Sequence, residues 1–198
     1  MSIFKSAALA AALALAAGSA GAATVVSDAT GISGTFTSPD GAVYEPAHDG
    51  GWVANDSTAT WIWVSGAGIN TPVTILYQFT LAGYDAATAA LSGLFSLDDI
   101  GSISLNGTEI FADNAPYDVG SNWGIVQDYG TTNSSLFLAG VNTLAFTITN
   151  TGGPGGIRAT INVTAEPTSA VPVPAALPLL AGALGGLGAF GLRRKRAA

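Results

Sequence analysis

The stretch SISLNGTEIF, residues 102–111, decides the fold class. Ile103 and Leu105 stand before Asn106 and Gly107, and Ile110 and Phe111 stand after them. A two-residue turn that follows the twist of paired strands needs positive φ at its central positions, which Asn and Gly tolerate. This stretch is therefore expected to form a β-hairpin. The same logic extends to both sides of it. Ile75, Tyr77, Phe79 and Leu81 alternate with Leu76, Gln78 and Thr80, and Leu144, Phe146 and Ile148 alternate with Thr143, Ala145, Thr147 and Thr149. Ile157, Ala159, Ile161 and Val163 alternate with Arg158, Thr160, Asn162 and Thr164. A period of two marks strands with one buried face.

Further strands are expected near residues 25–37, 51–53, 60–65, 91–96 and 123–126. Roughly eight to ten short strands in about 145 residues predict an all-β fold, a two-sheet antiparallel β-sandwich of jelly-roll kind. Helical character is confined to the two ends, so the sandwich is expected to be flanked by an N-terminal signal helix and a C-terminal transmembrane helix. The length of 198 residues accommodates one such domain beside the end segments.

Charge is distributed unevenly. The basic residues are Lys5, Arg158 and the terminal group Arg193, Arg194, Lys195 and Arg196, and all 13 acidic residues lie between Lys5 and Arg193. The segment 24–170 thus sets 13 acids against Arg158 alone. Phosphate binding needs neutralising Lys and Arg, so nucleic acid is excluded as a partner, and a polyanion would need a bridging cation. Cysteine is absent, which excludes disulfides and thiolate metal sites.

The ends supply the targeting expectation. Residues 1–23 run from a short start carrying Lys5, through an apolar stretch, to small residues ending in Ala22 and Ala23. That is the order of a secretory signal peptide, with cleavage expected after Ala22 or Ala23. Residues 175–192 are apolar or small throughout, and at ~1.5 Å per residue a helix there spans roughly 27 Å, enough to cross a membrane. Arg193, Arg194, Lys195 and Arg196 follow directly and are expected to hold residues 193–198 in the cytoplasm, leaving the body outside.

Val171, Pro172, Val173, Pro174 and Ala175, then an apolar helix, then a basic cluster, resemble the VPLPA-CTERM variant of the PEP-CTERM sorting signals. Val173 replaces the usual Leu. Prolines keep the stretch extended and remove backbone donors, which leaves it accessible to a processing enzyme. The resemblance implies recognition by an exosortase, a membrane-embedded cysteine transpeptidase, and release or re-attachment at the surface of an exopolysaccharide-producing Gram-negative cell. The domains are then signal peptide 1–23, β-sandwich 24–166, Pro-rich linker and sorting motif 167–174, transmembrane helix 175–192 and basic cytoplasmic tail 193–198.

The body, in turn, resembles the galactose-binding-like β-sandwich domains of secreted bacterial proteins. The resemblance lies in Trp52, Trp61, Ile62 and Trp63, in YQFTL at 77–81, in FSLDDIGSISLNGTEI at 95–110 and in AGVNTLAFTITNTGGPGGIRATINV at 139–163.

Candidate chemistry is sparse. Asp98 and Asp99 are adjacent, and on extended backbone they would project to opposite faces, so they would not flank one scissile bond. A solvated acidic turn is the favoured reading. No cofactor is expected, with structural calcium at this pair as the alternative. His48 is the sole histidine, and without cysteine it cannot complete a His/Cys zinc site. Glycines 152, 153, 155 and 156 around Pro154 lack a following Lys and read as a turn rather than a phosphate loop. Trp61 and Trp63 are expected in the core. Trp123 and Tyr129, in a Gly/Ser/Asn-rich region, are the candidate ligand-contacting aromatics.

The sequence thus predicts an exported surface or matrix protein, non-enzymatic, structural or adhesive, and associated with exopolysaccharide. Its partners would be the secretion machinery, the exosortase, the membrane through the C-terminal helix, and extracellular polysaccharide. The body would be held outside the inner membrane and then reach the cell surface or medium. The alternatives are a carbohydrate-active enzyme using two acidic residues, or a self-assembling coat subunit. Two facing carboxylates in one pocket would mark the enzyme.

Overall fold

The computed structural model describes residues 21–31, 36–47, 50–113 and 122–168. The strands are β1 (Ala23–Ala29), β2 (Phe36–Thr37), β3 (Val43–Tyr44), β4 (Trp63–Val64), β5 (Pro72–Thr80), β6 (Tyr84–Asp98), β7 (Ile100–Leu105), β8 (Thr108–Asp113), β9 (Gln127–Thr131), β10 (Val141–Thr149) and β11 (Gly156–Pro167). They form a four-stranded sheet ordered β1-β11-β6-β9, a five-stranded sheet ordered β2-β5-β10-β7-β8, and a small β3-β4 pair. All pairings are antiparallel. The protein is all-β, as its alternation predicts. The signal, sorting and membrane segments lie outside the described residues, apart from Gly21, Ala22 and Ala23 of the first and Pro167 and Thr168 of the second. Among the described residues no helix is long and apolar enough to cross a membrane.

Alternation sets which face of each strand is buried. Ile75, Tyr77 and Phe79 of β5, Leu144, Phe146 and Ile148 of β10, and Ile103 and Leu105 of β7 point inward from one sheet. Leu91, Phe95 and Leu97 of β6 and Ile157, Ile161 and Val163 of β11 meet them from the other. Each such side chain contributes about 1.5–3 kcal/mol through removal from water. The β7–β8 hairpin turns on Asn106 at φ 51° and Gly107 at φ 83°, as the Asn-Gly pair requires. The Asn106 carboxamide also donates to Leu136 O and Asn142 Oδ1, both at 2.8 Å, and accepts from Thr143 N at 2.9 Å. One turn residue therefore ties the hairpin to the segment leading into β10.

Several expected strands differ. Residues 51–53 and 123–126 are loops, joined by a backbone bond from Val53 N to Trp123 O at 2.7 Å. The stretch 91–96 lies in the second half of the 15-residue β6. The expected strand over 25–37 ends at Ala29 and resumes as β2, because Gly31 takes φ 76° and turns the chain. Ala23 is already paired with Ala165 as the first residue of β1, so a cut after Ala22 would leave that strand whole. The same pairing brings the two ends of the sandwich to one pole.

Candidate functional site

The outward face of the four-stranded sheet carries an open groove of about 490 Å³. That volume falls within the range of small-ligand sites. On β11 the outward residues are Arg158, Thr160, Asn162 and Thr164, because Ile157, Ala159, Ile161 and Val163 fill the core. Asn162 lies between Ser27 of β1 and Ser92 of β6 in register, and Ser27, Asn162 and Ser92 are all exposed. Thr160 and the 42 % exposed Leu94 form the next part of the floor. The Thr160 hydroxyl accepts the Leu94 N–H at 3.0 Å and fixes their spacing. Asp28 also borders the groove, but its Oδ2 accepts from the Tyr77 hydroxyl at 2.9 Å and its Oδ1 from Ala29 N at 2.8 Å. Burial, then the bond to Asp28 and that residue's charge, push the Tyr77 phenol upward and keep it a neutral donor.

Ser57 and Thr58 form the groove's outer rim. Their loop is lashed to the sheet. Asp56 Oδ1 accepts from Thr58 N at 2.6 Å and Ala59 N at 3.0 Å, while its Oδ2 pairs with Arg158 Nη2 at 2.7 Å. The backbone donors of Ala59 and Thr58 hold the Asp56 carboxyl below the usual range against an opposing effect of burial, with Arg158 adding to them. Arg158 Nε donates to Ala59 O at 3.2 Å, and its side chain is only 5 % exposed. Thr30 adds bonds from its hydroxyl to Thr60 O at 2.6 Å and from Ala159 N to that hydroxyl at 3.0 Å. The rim is thus positioned by side chains that do not themselves face the groove.

The acidic pair occupies a different place, at the sandwich end where Asp98 is paired with Gly156. The reading of a solvated turn is corrected here: Asp98 is 5 % and Asp99 3 % exposed. The peptide between them is cis, and the two carboxyl groups hydrogen-bond each other instead of pointing to opposite faces. Trp52 Nε1 donates to Asp98 Oδ2 at 2.8 Å. Thr151 donates to Asp99 Oδ2 from its N at 2.7 Å and its hydroxyl at 2.6 Å, and Asn122 Nδ2 donates to Asp99 O at 2.7 Å. Burial pushes the Asp99 carboxyl up, but the bonds from Asp98 and Thr151 outweigh it and hold the group below the usual range. Among the described residues no three His, Cys, Asp or Glu side chains gather as metal ligands.

Trp52 stacks on Trp61 over the same corner, with ring centroids 4.3 Å apart. A Cβ on Gly156 would come within 2.8 Å of the Trp61 ring and 3.0 Å of the Trp52 ring, and one on Gly155 would meet the Trp63 ring, so these two glycines serve close aromatic packing. Trp61 and Trp63 are buried, as expected. Trp123 is half-buried on the loop that packs beside this corner. Tyr129 is a correction: it lies in β9 at 5 % exposure, edge-on to Phe95 and Phe146, with its hydroxyl donated to Thr160 O at 2.9 Å. The cause is Gly93, its register partner on β6, which leaves room for the ring. Trp123 and Tyr129 therefore do not form one aromatic platform, and neither lines the groove. Ala22 precedes β1 in exposed coil. Val171, Pro172, Val173, Pro174, Ala175, Arg193, Arg194, Lys195 and Arg196 lie outside the described residues.

No family model and no curated protein matches the chain. Among solved structures it is similar to a family 35 carbohydrate binding module from an environmental isolate, at 14% identity and a TM-score of 0.40, covering 70% of this chain and 95% of that one. It is also similar to the catalytic domain of a GH87 alpha-1,3-glucanase in complex with tetrasaccharides, at 14% identity and a TM-score of 0.31. That match covers 78% of this chain and 30% of the other.

Proposed function

We propose that the protein is an exported surface or matrix protein whose sandwich binds extracellular polysaccharide in the outer-face groove and does not cleave it. The observation that carries this reading is the groove's lining. Ser27, Ser57, Thr58 and Asn162 offer neutral donors and acceptors, and Leu94 offers an apolar surface, a pairing suited to the hydroxyls and the C–H face of a sugar ring. Glycoside hydrolysis ordinarily uses two carboxyls flanking the bond. Asp28 is the carboxylate among the groove's lining residues, and it is engaged by Tyr77. The Asp98 and Asp99 carboxyls are buried against each other elsewhere.

Sorting by an exosortase at Val171, Pro172, Val173, Pro174 and Ala175, after anchoring by residues 175–192, belongs to the same proposal and rests on the sequence. Co-sedimentation of the mature protein with the extracellular polysaccharide of its host tests the binding reading. Saturable retention is expected, and recovery wholly in the supernatant would contradict it.

A further inference from the structure

We infer that the groove selects an uncharged or amino-sugar glycan and turns away uronate and sulfated glycans. This deepens the polysaccharide reading and rests on it. Recognition of an anionic sugar is strongest where an accessible cation or a bridging metal meets it. Arg158 is the one Lys or Arg between Lys5 and Arg193. Its guanidinium is committed beneath the rim to Asp56 and Ala59 O, and it is 4 % exposed, so a ligand in the groove cannot reach it without breaking the rim's own support.

The groove also carries negative charge. Asp28 is among its lining residues, its Oδ2 accepting from the uncharged Tyr77 hydroxyl. Exposed Asp128 of β9 is the register partner of Leu94 and shares its outward face. Asp56, beside Ser57 at the rim, is offset by its pairing with Arg158. Hydroxyls and a carboxamide beside Asp28 and Asp128 leave a neutral sugar unaffected, attract a protonated amine and repel a carboxylate or sulfate. Because Asp128 is solvated, its effect acts through water and is screened by salt beyond ~10 Å at 0.1 M.

The test is equilibrium binding of the protein to three soluble oligosaccharide sets: neutral glucans, partly deacetylated chitin oligomers and oligouronates. EDTA is present to remove bridging cations. Neutral binding is expected to be insensitive to salt. Chitin-oligomer binding is expected to strengthen at low salt, and oligouronate binding to be at least about tenfold weaker than neutral binding at low ionic strength. Asp128→Lys places a cation on the rim and is expected to narrow the oligouronate deficit at unchanged melting temperature. Oligouronates that bind as well as neutral glucans in EDTA would overturn the charge selection while leaving the groove assignment standing. Failure of all three sets to bind would overturn the groove assignment itself, and the selection with it.

Discussion

The Trp52 indole donates its N–H to Asp98 Oδ2 at 2.8 Å across 46 residues of sequence. This bond closes the corner where β6 ends, and it gives a buried carboxyl its fixed orientation. Removing one partner of a buried polar pair leaves the other unsatisfied. Trp52→Phe keeps an aromatic ring beside Trp61 while deleting the donor, and is expected to lower stability by about 1–3 kcal/mol in urea denaturation. An unchanged midpoint would show that the bond contributes nothing net.

Thr151 and Asp99 set the acid limit of the same corner. Burial raises the Asp99 pKa, but hydrogen bonds from Asp98 and Thr151 outweigh it, so the folded value lies below the ordinary 3.8. A depressed folded pKa gives stability that is complete above the unfolded value and disappears as pH falls through the folded one. The protein is expected to lose this contribution only beneath the ordinary carboxylate range. Thr151→Val removes the 2.6 Å hydroxyl donor and is expected to move the acid loss to higher pH. Melting temperatures from about pH 2 to about pH 6 read the difference.

Calcium tests the alternative of a cation site at Asp98 and Asp99. With the carboxyl oxygens engaged by Trp52, Thr151 and each other, added calcium is expected to leave the melting temperature unchanged at neutral pH. A cation bound only by the folded state would add about 2.7 kcal/mol at 100 times its dissociation constant. A calcium-dependent rise abolished in Asp98→Asn would establish the structural-calcium alternative.

Gly93 and Tyr129 test the packing between β6 and β9. A Cβ at Gly93 would overlap Thr160 O and the Tyr129 ring. Gly93→Ala is expected to destabilise the protein by about 1–3 kcal/mol, the range of overpacked cores. Relief of that loss in Gly93→Ala combined with Tyr129→Ser, measured as a double-mutant cycle, would locate the clash in this pair.

The sequence carried the fold where its signals are local. The alternation in β5, β10 and β11 and the Asn106–Gly107 turn each operate within a few residues, and the strands follow them. Asp98 and Asp99 read as a solvated turn because their partners Trp52 and Thr151 lie 46 and 52 residues away. Tyr129 read as a loop residue because its burial depends on register with Gly93. A glycine inside a strand does signal close approach, which was the available clue. The groove draws on β1, β6, β11 and the Ser57–Thr58 rim. Thr160 and Asn162 were visible as a polar strand face, but Ser27, Ser57, Thr58 and Leu94 carry no motif, since only the folded sheet order makes them neighbours.

Asn162 gives direct access to the groove, because it is exposed at the centre of the β1–β11–β6 surface. Asn162→Trp fills that space at an outward strand position where an aromatic residue is well tolerated. Titration of the protein and this variant with oligosaccharides released from the host polysaccharide, alongside thermal melts, tests the binding claim. The account predicts saturable binding by the protein and at least about tenfold weaker binding by a variant of equal melting temperature. Equal affinity for both proteins, with the fold of each intact, would contradict it.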